Sequence, residues 1–180
     1  MRQEIEDGRR DTLAALLARR EGRPIAFLCD GSLGGLARWL RAAGYAAEPS
    51  PGRGGAELVE PARRRDLVLV TTDHRLLERR AVREGLPVVV LVPSRLGTLG
   101  QLRTVLLELG LPIGEPLCMS CGGELRRVAK TDVADRIPPR TAIWKDEYFL
   151  CSGCDKLFWQ GTHWQRIRQR LGQATAPPKT

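Results

Sequence analysis

The chain has 180 residues, with 29 lysines and arginines against 21 acids for a formal net charge of +8, and 42% of its residues are hydrophobic. That apolar share is globular, and the length suits one ordinary domain plus a small module that needs a metal to support it. No apolar run approaches the ~20 residues of a membrane span, and Met1–Asp7 carries three acids but none of the apolar core of a secretory signal. The expectation is a cytoplasmic, reducing location without membrane contact.

The charge is unevenly spread: residues 118–180 hold 11 basic residues against six acids, whereas residues 1–117 hold 18 against 15. A surplus of this size favours a polyanion, with nucleic acid the default partner, although basic surfaces also serve solubility alone.

In chain order, Leu13, Leu16 and Leu17 mark an N-terminal helix closed by Gly22 and Pro24. The apolar run Ile25–Cys29 ending at Asp30 predicts a buried strand. Leu33, Leu36, Ala37, Leu40 and Ala43 recur at helical spacing until Gly44, and a weak strand starts at Tyr45. After a loop over Pro49–Gly55, a helix is expected over Ala56–Arg65, interrupted by Pro61. Leu67–Thr71 is the clearest strand, followed by a helix from Arg75 to Glu84, a strand over Pro87–Val92 and a helix over Leu99–Leu109. Alternating strands and helices with continuously apolar strands imply a parallel sheet covered on both faces. Gly110–Pro116 is the linker to the C-terminal segment.

Cys118, Cys121, Cys151 and Cys154 form two Cys-x-x-Cys pairs separated by 29 residues. Each pair lets two thiolates converge on one ion, and together they complete a closed tetrahedral zinc site. A redox dithiol needs only one pair, and two disulfides need an oxidising compartment. A four-sulfur site has no open coordination position, so it organises structure and leaves the chemistry to other residues. Cys29, inside an apolar run, is expected to be a buried small residue. Six of the nine aromatics fall within residues 144–164: Trp144, Tyr148, Phe149, Phe158, Trp159 and Trp164. Most are expected to pack around the metal, leaving an exposed minority for base stacking beside Lys156, Arg166 and Arg168.

Ligands of open α/β sheets bind beyond the carboxyl ends of the strands. Asp30 and Asp73 both follow strands there, and they converge if those strands are neighbours. Paired carboxylates suit Mg²⁺ or Mn²⁺, but Asp is also a favoured helix N-cap, and both roles can coexist. Glu57 and Glu60 are further candidates, with surface glutamate as the bland alternative. Gly31-Ser32-Leu33-Gly34-Gly35 matches neither the dinucleotide fingerprint nor the P-loop, so no nucleotide cofactor is expected. His74 and His163, the only two histidines, have no paired nucleophile.

Several strings together resemble the Mut-seven C-terminal RNase domain family: Phe27-Leu28-Cys29-Asp30, Leu36-Ala37-Arg38-Trp39-Leu40-Arg41 with Gly44-Tyr45, and Val70-Thr71-Thr72-Asp73. In the cysteine-bearing half, Arg136-Ile137-Pro138-Pro139 and Trp159-Gln160-Gly161-Thr162-His163-Trp164 resemble the family's Val-Pro-Pro and Trp-Lys-Gly-Ser-His-Trp patterns. The resemblance runs from about Ile25 to Arg168. It implies a PIN-like parallel sheet flanked by helices and followed by a small zinc-ribbon module, which cleaves RNA with acids and Mg²⁺ or Mn²⁺ at the sheet edge. Domains are then expected at 25–112 for the PIN-like part and 117–172 for the ribbon, with a helical extension at 1–24 and a disordered tail at 173–180.

Asp30 and Asp73 fall on two of the family's catalytic, metal-binding positions. At the middle acid this chain departs from the pattern, with Gly54-Gly55-Ala56 ahead of Glu57, so Glu57 is the candidate substitute. Arg38, Arg41, Arg127, Lys130, Trp159 and His163 are the candidate RNA contacts. Because thiolate ligation is coupled to folding, the ribbon is expected to melt before the sheet domain when metal is removed.

Overall fold

The computed structural model describes residues 23–84 and 87–175; the predicted N-terminal helix lies outside them. Four parallel strands, β1 (Ala26–Cys29), β2 (Ala46–Pro49), β3 (Val68–Thr71) and β4 (Val89–Leu91), form a sheet in the order β2-β1-β3-β4. The condition for Asp30 and Asp73 to come to one edge is met, since β1 and β3 are neighbours, with Cys29 in register with Val70.

The continuous apolar runs follow from burial on both faces. Phe27, Cys29, Val68 and Val70 point into one core, shared with helices α1 (Gly34–Ala42) and α4 (Thr98–Glu108). Leu28 and Leu69, on the opposite parity, join Leu58, Val59, Ala62 and Leu76 in a second core beneath α2 (Val59–Arg64). The central strands β1 and β3 thus have no polar side to expose, whereas the edge strand β2 leaves Ala46, Glu48 and Pro49 exposed. Cys29 is fully buried, and burial pushes its thiol up to about 12, so it is an inert core residue as expected.

Two predicted helices are shorter than their patterns. Residues 56–65 divide into a 3-10 turn, Gly55–Leu58, and α2. Pro61 does not interrupt α2, because it lies in the first turn, where backbone N–H groups have no intrahelical partner to lose. Residues 75–84 divide into a 3-10 helix, His74–Glu78, and the single turn α3 (Arg80–Arg83), broken by extended backbone at Arg79. Asp73 caps the 3-10 turn, its side chain accepting from the Arg75 amide.

The cysteine-bearing half is a second, antiparallel sheet of β5 (Leu125–Val128), β6 (Tyr148–Cys151) and β7 (Leu157–Trp159). The excursion between the two Cys pairs holds β5, a 3-10 segment at Lys130–Arg136, the short helix α5 (Pro139–Trp144) and most of β6. Tyr148, Val133 and Ile137 form its small core. Of the aromatics there, Tyr148 is fully buried in the Val133 and Ile137 core with Trp159 against it, Phe149, Phe158, Trp159 and Trp164 are half-buried, and Trp144 is 80% exposed.

The two halves do not separate at the linker. Helix α6 (Thr162–Thr175) returns to α4, and its Leu171 and Ala174 are buried in the sheet domain's core. Of the tail expected to be disordered over 173–180, Gln173–Thr175 are helical because the apolar stripe is covered at Leu171 and Ala174, and residues 176–180 lie outside the described residues. The linker is itself pinned, with the Gly114 and Leu117 amides donating to the carbonyls of Ala43 (2.9 Å) and Arg41 (2.8 Å). Gly44, at φ +95°, ends α1 where a Cβ would lie 2.8 Å from the Glu115 carbonyl oxygen, so both its backbone angle and its neighbour demand glycine. Among the described residues no helix is long and apolar enough to cross a membrane.

Candidate active site and metal centre

Asp30 and Asp73 both sit at the carboxyl edge of the parallel sheet, on adjacent strands. The Asp30 amide continues the ladder by donating to the Val70 carbonyl at 3.0 Å. Its carboxylate, 7% exposed, accepts from the Ser32 amide (2.9 Å) and hydroxyl (2.8 Å) through Oδ1, and from the Thr71 hydroxyl (2.8 Å) through Oδ2. The Asp73 amide in turn donates to the same Thr71 oxygen at 3.1 Å. Thr71 Oγ1 thus ties the two acidic turns together from inside the sheet edge.

The capping role raised from the sequence holds for both acids, since Asp73 also accepts from the Arg75 amide at 3.1 Å. Ligation stays open through Oδ2: Oδ1 of each aspartate already accepts two hydrogen bonds, whereas Oδ2 accepts one and keeps a lone pair.

Asp73 carries a second cation contact: the Arg75 guanidinium donates to Oδ1 at 2.9 Å and Oδ2 at 3.3 Å. Crowded carboxylates are expected to raise one another's pKa. Asp73 is instead held below its ordinary range, first by the Arg75 side-chain hydrogen bond.

The segment that replaces the missing middle acid does reach this edge. The Gly31 amide donates to the Arg53 carbonyl at 3.1 Å, and a Cβ on Gly55 would lie 3.2 Å from Asp73 Oδ2. Glu57, two residues on, is exposed in the 3-10 turn that follows. Glu60 faces away, bound to Arg63 and Arg64 on its own helix.

Thr71 and Ser32 are site residues that the sequence reading missed; the signal was a hydroxyl at the end of an otherwise apolar strand. Thr71→Val, nearly isosteric, should leave Asp30 Oδ2 and the Asp73 amide without their partner. A buried unmet polar group costs ~1–3 kcal/mol. The denaturation midpoint in urea should fall accordingly with an unchanged slope, and an unaltered midpoint would show that the Thr71 link contributes nothing to stability.

The second centre is sulfur-based. The Sγ atoms of Cys118, Cys121, Cys151 and Cys154 all lie within 4.8 Å of one another, the only such group of three or more candidate ligands among the described residues. Cys118 and Cys154 stand 3.7 Å apart and Cys121 and Cys151 3.3 Å. A tetrahedral ion with ~2.3 Å metal–sulfur bonds sets its sulfurs ~3.8 Å apart, so the quartet fits zinc. The Gly123 and Gly153 amides donate to Cys121 and Cys151. Although burial acts to raise the Cys151 thiol, the amides of Gly153 and Cys154 outweigh it and bring it down to about 6. Gly123 is sterically fixed, since a Cβ there would meet Cys151 Sγ and the Gly153 amide nitrogen, each at 2.8 Å.

The candidate RNA contacts are dispersed. Arg41 is a correction: it is 7% exposed and donates to the carbonyls of Ala47 (2.7 Å), Met119 (3.2 Å) and Ser120 (3.0 Å). Its guanidinium fastens the first Cys pair to the sheet domain and is spent on backbone, because α1 and the linker close over it. Arg127 is exposed and paired with Glu147, while Lys130 donates to the Ala142 carbonyl and to Asp146. Lys156 donates to the Ser120 hydroxyl. Arg38, Trp159 and His163, by contrast, line one cleft between the two halves.

The fold is thus a parallel α/β sheet with helices on both faces and two aspartates at its carboxyl edge, packed against a four-cysteine module that could hold zinc. The family model that matches, described as the Mut7-C RNAse domain, covers residues 25–171. The chain belongs to that family. No curated protein and no solved structure matches it significantly.

Proposed function

We propose that this protein is a divalent-metal-dependent ribonuclease whose reaction centre is the edge formed by Asp30, Asp73 and the 54–57 segment, with zinc structural in the ribbon. The observation that carries this reading is the junction of the two aspartates through Thr71, in a chain of an RNase-domain family.

The oxygen donors suit a hard divalent ion. The Arg75 guanidinium already stands on Asp73 where such an ion would bind, and it is 77% exposed on a flexible stem, free to move aside. When bound, Mg²⁺ or Mn²⁺ lowers the pKa of coordinated water and offsets charge on the phosphodiester. Asp30 would hold the ion in a geometry fixed by Ser32 and Thr71. Asp73 would exchange Arg75 for it, and Glu57 would lean from its turn to supply the third carboxylate. The released Arg75 would then be free to meet a substrate phosphate.

A second reading has its own support: Gly54-Gly55-Ala56 in place of an acid, together with the Arg75 clamp on Asp73, suits a binding protein that has lost catalysis. The test is incubation of a labelled single-stranded RNA with zinc-loaded protein and millimolar Mn²⁺. Cleavage dependent on added Mn²⁺ or Mg²⁺ is expected; retention of intact RNA in a salt-sensitive complex, at every divalent concentration, would favour the second reading.

A further inference from the structure

The cleft between the two halves has a volume of about 1010 Å³ and is bounded by α1, the 113–120 strand of linker and first Cys pair, and the turn from β7 into α6. That is the scale of a small-ligand site. Its aromatic wall includes Trp159 and Trp164. Trp164 is backed by Phe149, with ring centroids 5.8 Å apart and planes inclined by 15°, so it is a braced platform. Around the opening stand Arg38, His163 and Arg168, all exposed and without an ion pair or hydrogen bond to any described residue. Glu115 is the single acid among the lining residues.

We propose that this cleft binds one or two unstacked nucleotides of single-stranded RNA, the bases on the Trp164 and Trp159 indoles and the phosphates against Arg38 and Arg168. Base–aromatic stacking tolerates any base and needs bases freed from a duplex, while the neighbouring cations track the backbone. The excess of unpaired cations over acid selects a polyanion rather than a peptide. This assignment rests on the ribonuclease reading and gives its substrate a place to be held away from the acidic edge. Helix α1 joins the two places: it starts at Gly34, four residues after Asp30, and Arg38 lies one turn further on, ~6 Å along the axis. A short run of nucleotides would span from the cleft to the acids.

The test uses full-length, zinc-loaded protein in buffer free of Mg²⁺ and Mn²⁺, so that binding is read without cleavage. Fluorescence anisotropy with a labelled ten-nucleotide oligoadenylate should show at least tenfold weaker binding for the Arg38→Glu, Arg168→Glu double variant. Two lost phosphate contacts should also flatten the salt dependence by about 1.4 in logarithmic slope, at ~0.7 per contact for single strands. Arg83→Glu, on the short helix α3, should change affinity less than twofold. Tryptophan fluorescence should be quenched by the oligonucleotide in the wild type and much less in the double variant.

Should charge reversal perturb folding, Arg38→Gln with Arg168→Gln gives the same readout with a smaller change. Unchanged affinity and slope in a folded double variant, or a blunt duplex of equal length bound as tightly as the single strand, would overturn the cleft assignment. The two readings fail separately: a protein that cleaves RNA with its affinity insensitive to these arginines loses the cleft, and one that binds as described yet never cleaves loses the ribonuclease.

Discussion

Asp30→Asn is expected to reduce divalent-dependent RNA cleavage at least a thousandfold while leaving the protein folded. Asparagine keeps an oxygen to accept from the Ser32 amide and is an equally good cap. Its amide nitrogen can donate to Thr71 Oγ1, reversing a hydrogen bond that is present at 2.8 Å and leaving the buried Thr71 proton without its acceptor. Stability should therefore fall by no more than ~1–3 kcal/mol, the cost of one buried unmet polar group. The ion, by contrast, loses a charged ligand, and a thousandfold is ~4 kcal/mol of activation energy. Asp73→Asn should match it in activity, and Glu57→Gln should lower the rate substantially if that residue supplies the third carboxylate. Single-turnover cleavage across a Mn²⁺ titration, beside thermal melts, makes the comparison. Full activity in both aspartate variants would reduce these residues to caps and sink the nuclease reading.

The second large effect concerns the sulfur centre. Cys151→Ser should abolish stoichiometric zinc and lower the melting temperature of the entire chain by ~10 °C or more. Structural zinc contributes folding free energy directly, and each kcal/mol moves the midpoint of a domain this size by ~2–4 °C. This differs from the order expected of an independent ribbon, which would melt alone. Arg41 fastens the first Cys pair to α1, and Leu171 and Ala174 of the helix after β7 fill the sheet domain's core. Loosening the ribbon strips both. Calorimetry with and without a chelator decides: one transition that shifts as a whole is expected, and two separated transitions with the upper one unmoved would restore the modular picture.

The difference shows where sequence is informative. The four cysteines were legible because a Cys-x-x-Cys pair needs only local geometry to converge its sulfurs. The strands were legible because burial on both faces leaves no polar position in Phe27–Cys29 or Val68–Val70. The Asp30 and Asp73 positions followed from strand ends alone. Arg41 was not legible: in the helical pattern it is a basic residue beside Arg38, and what separates them is a pair of carbonyls 78 and 79 residues away. Thr71 was equally hidden, since its role depends on two neighbours from different strands. The splitting of residues 74–83 into a 3-10 helix and one α-turn falls at the extended backbone of Arg79, and apolar spacing carries no trace of that break. The Gly54–Gly55 departure was visible, but its approach to Asp73 required the loop's path.

The return of α6 to α4 has a consequence for how the chain is made. Synthesis runs from the N-terminus, and domains generally fold in the order they emerge. Here the four strands of the parallel sheet are complete by Leu91, yet the surface that Leu171 and Ala174 cover stays open until about 80 further residues have emerged from the ribosome. Arg41 waits for Met119 and Ser120 with an uncompensated charge beside the core. A nascent or prematurely terminated chain therefore presents a sheet with one sticky, half-finished flank, the kind of species that chaperones and proteases recognise. Contacts of such long sequence separation also slow folding. The architecture thus postpones closure of this core flank until α6 has emerged, so that fragments ending before α6 are poor candidates to survive.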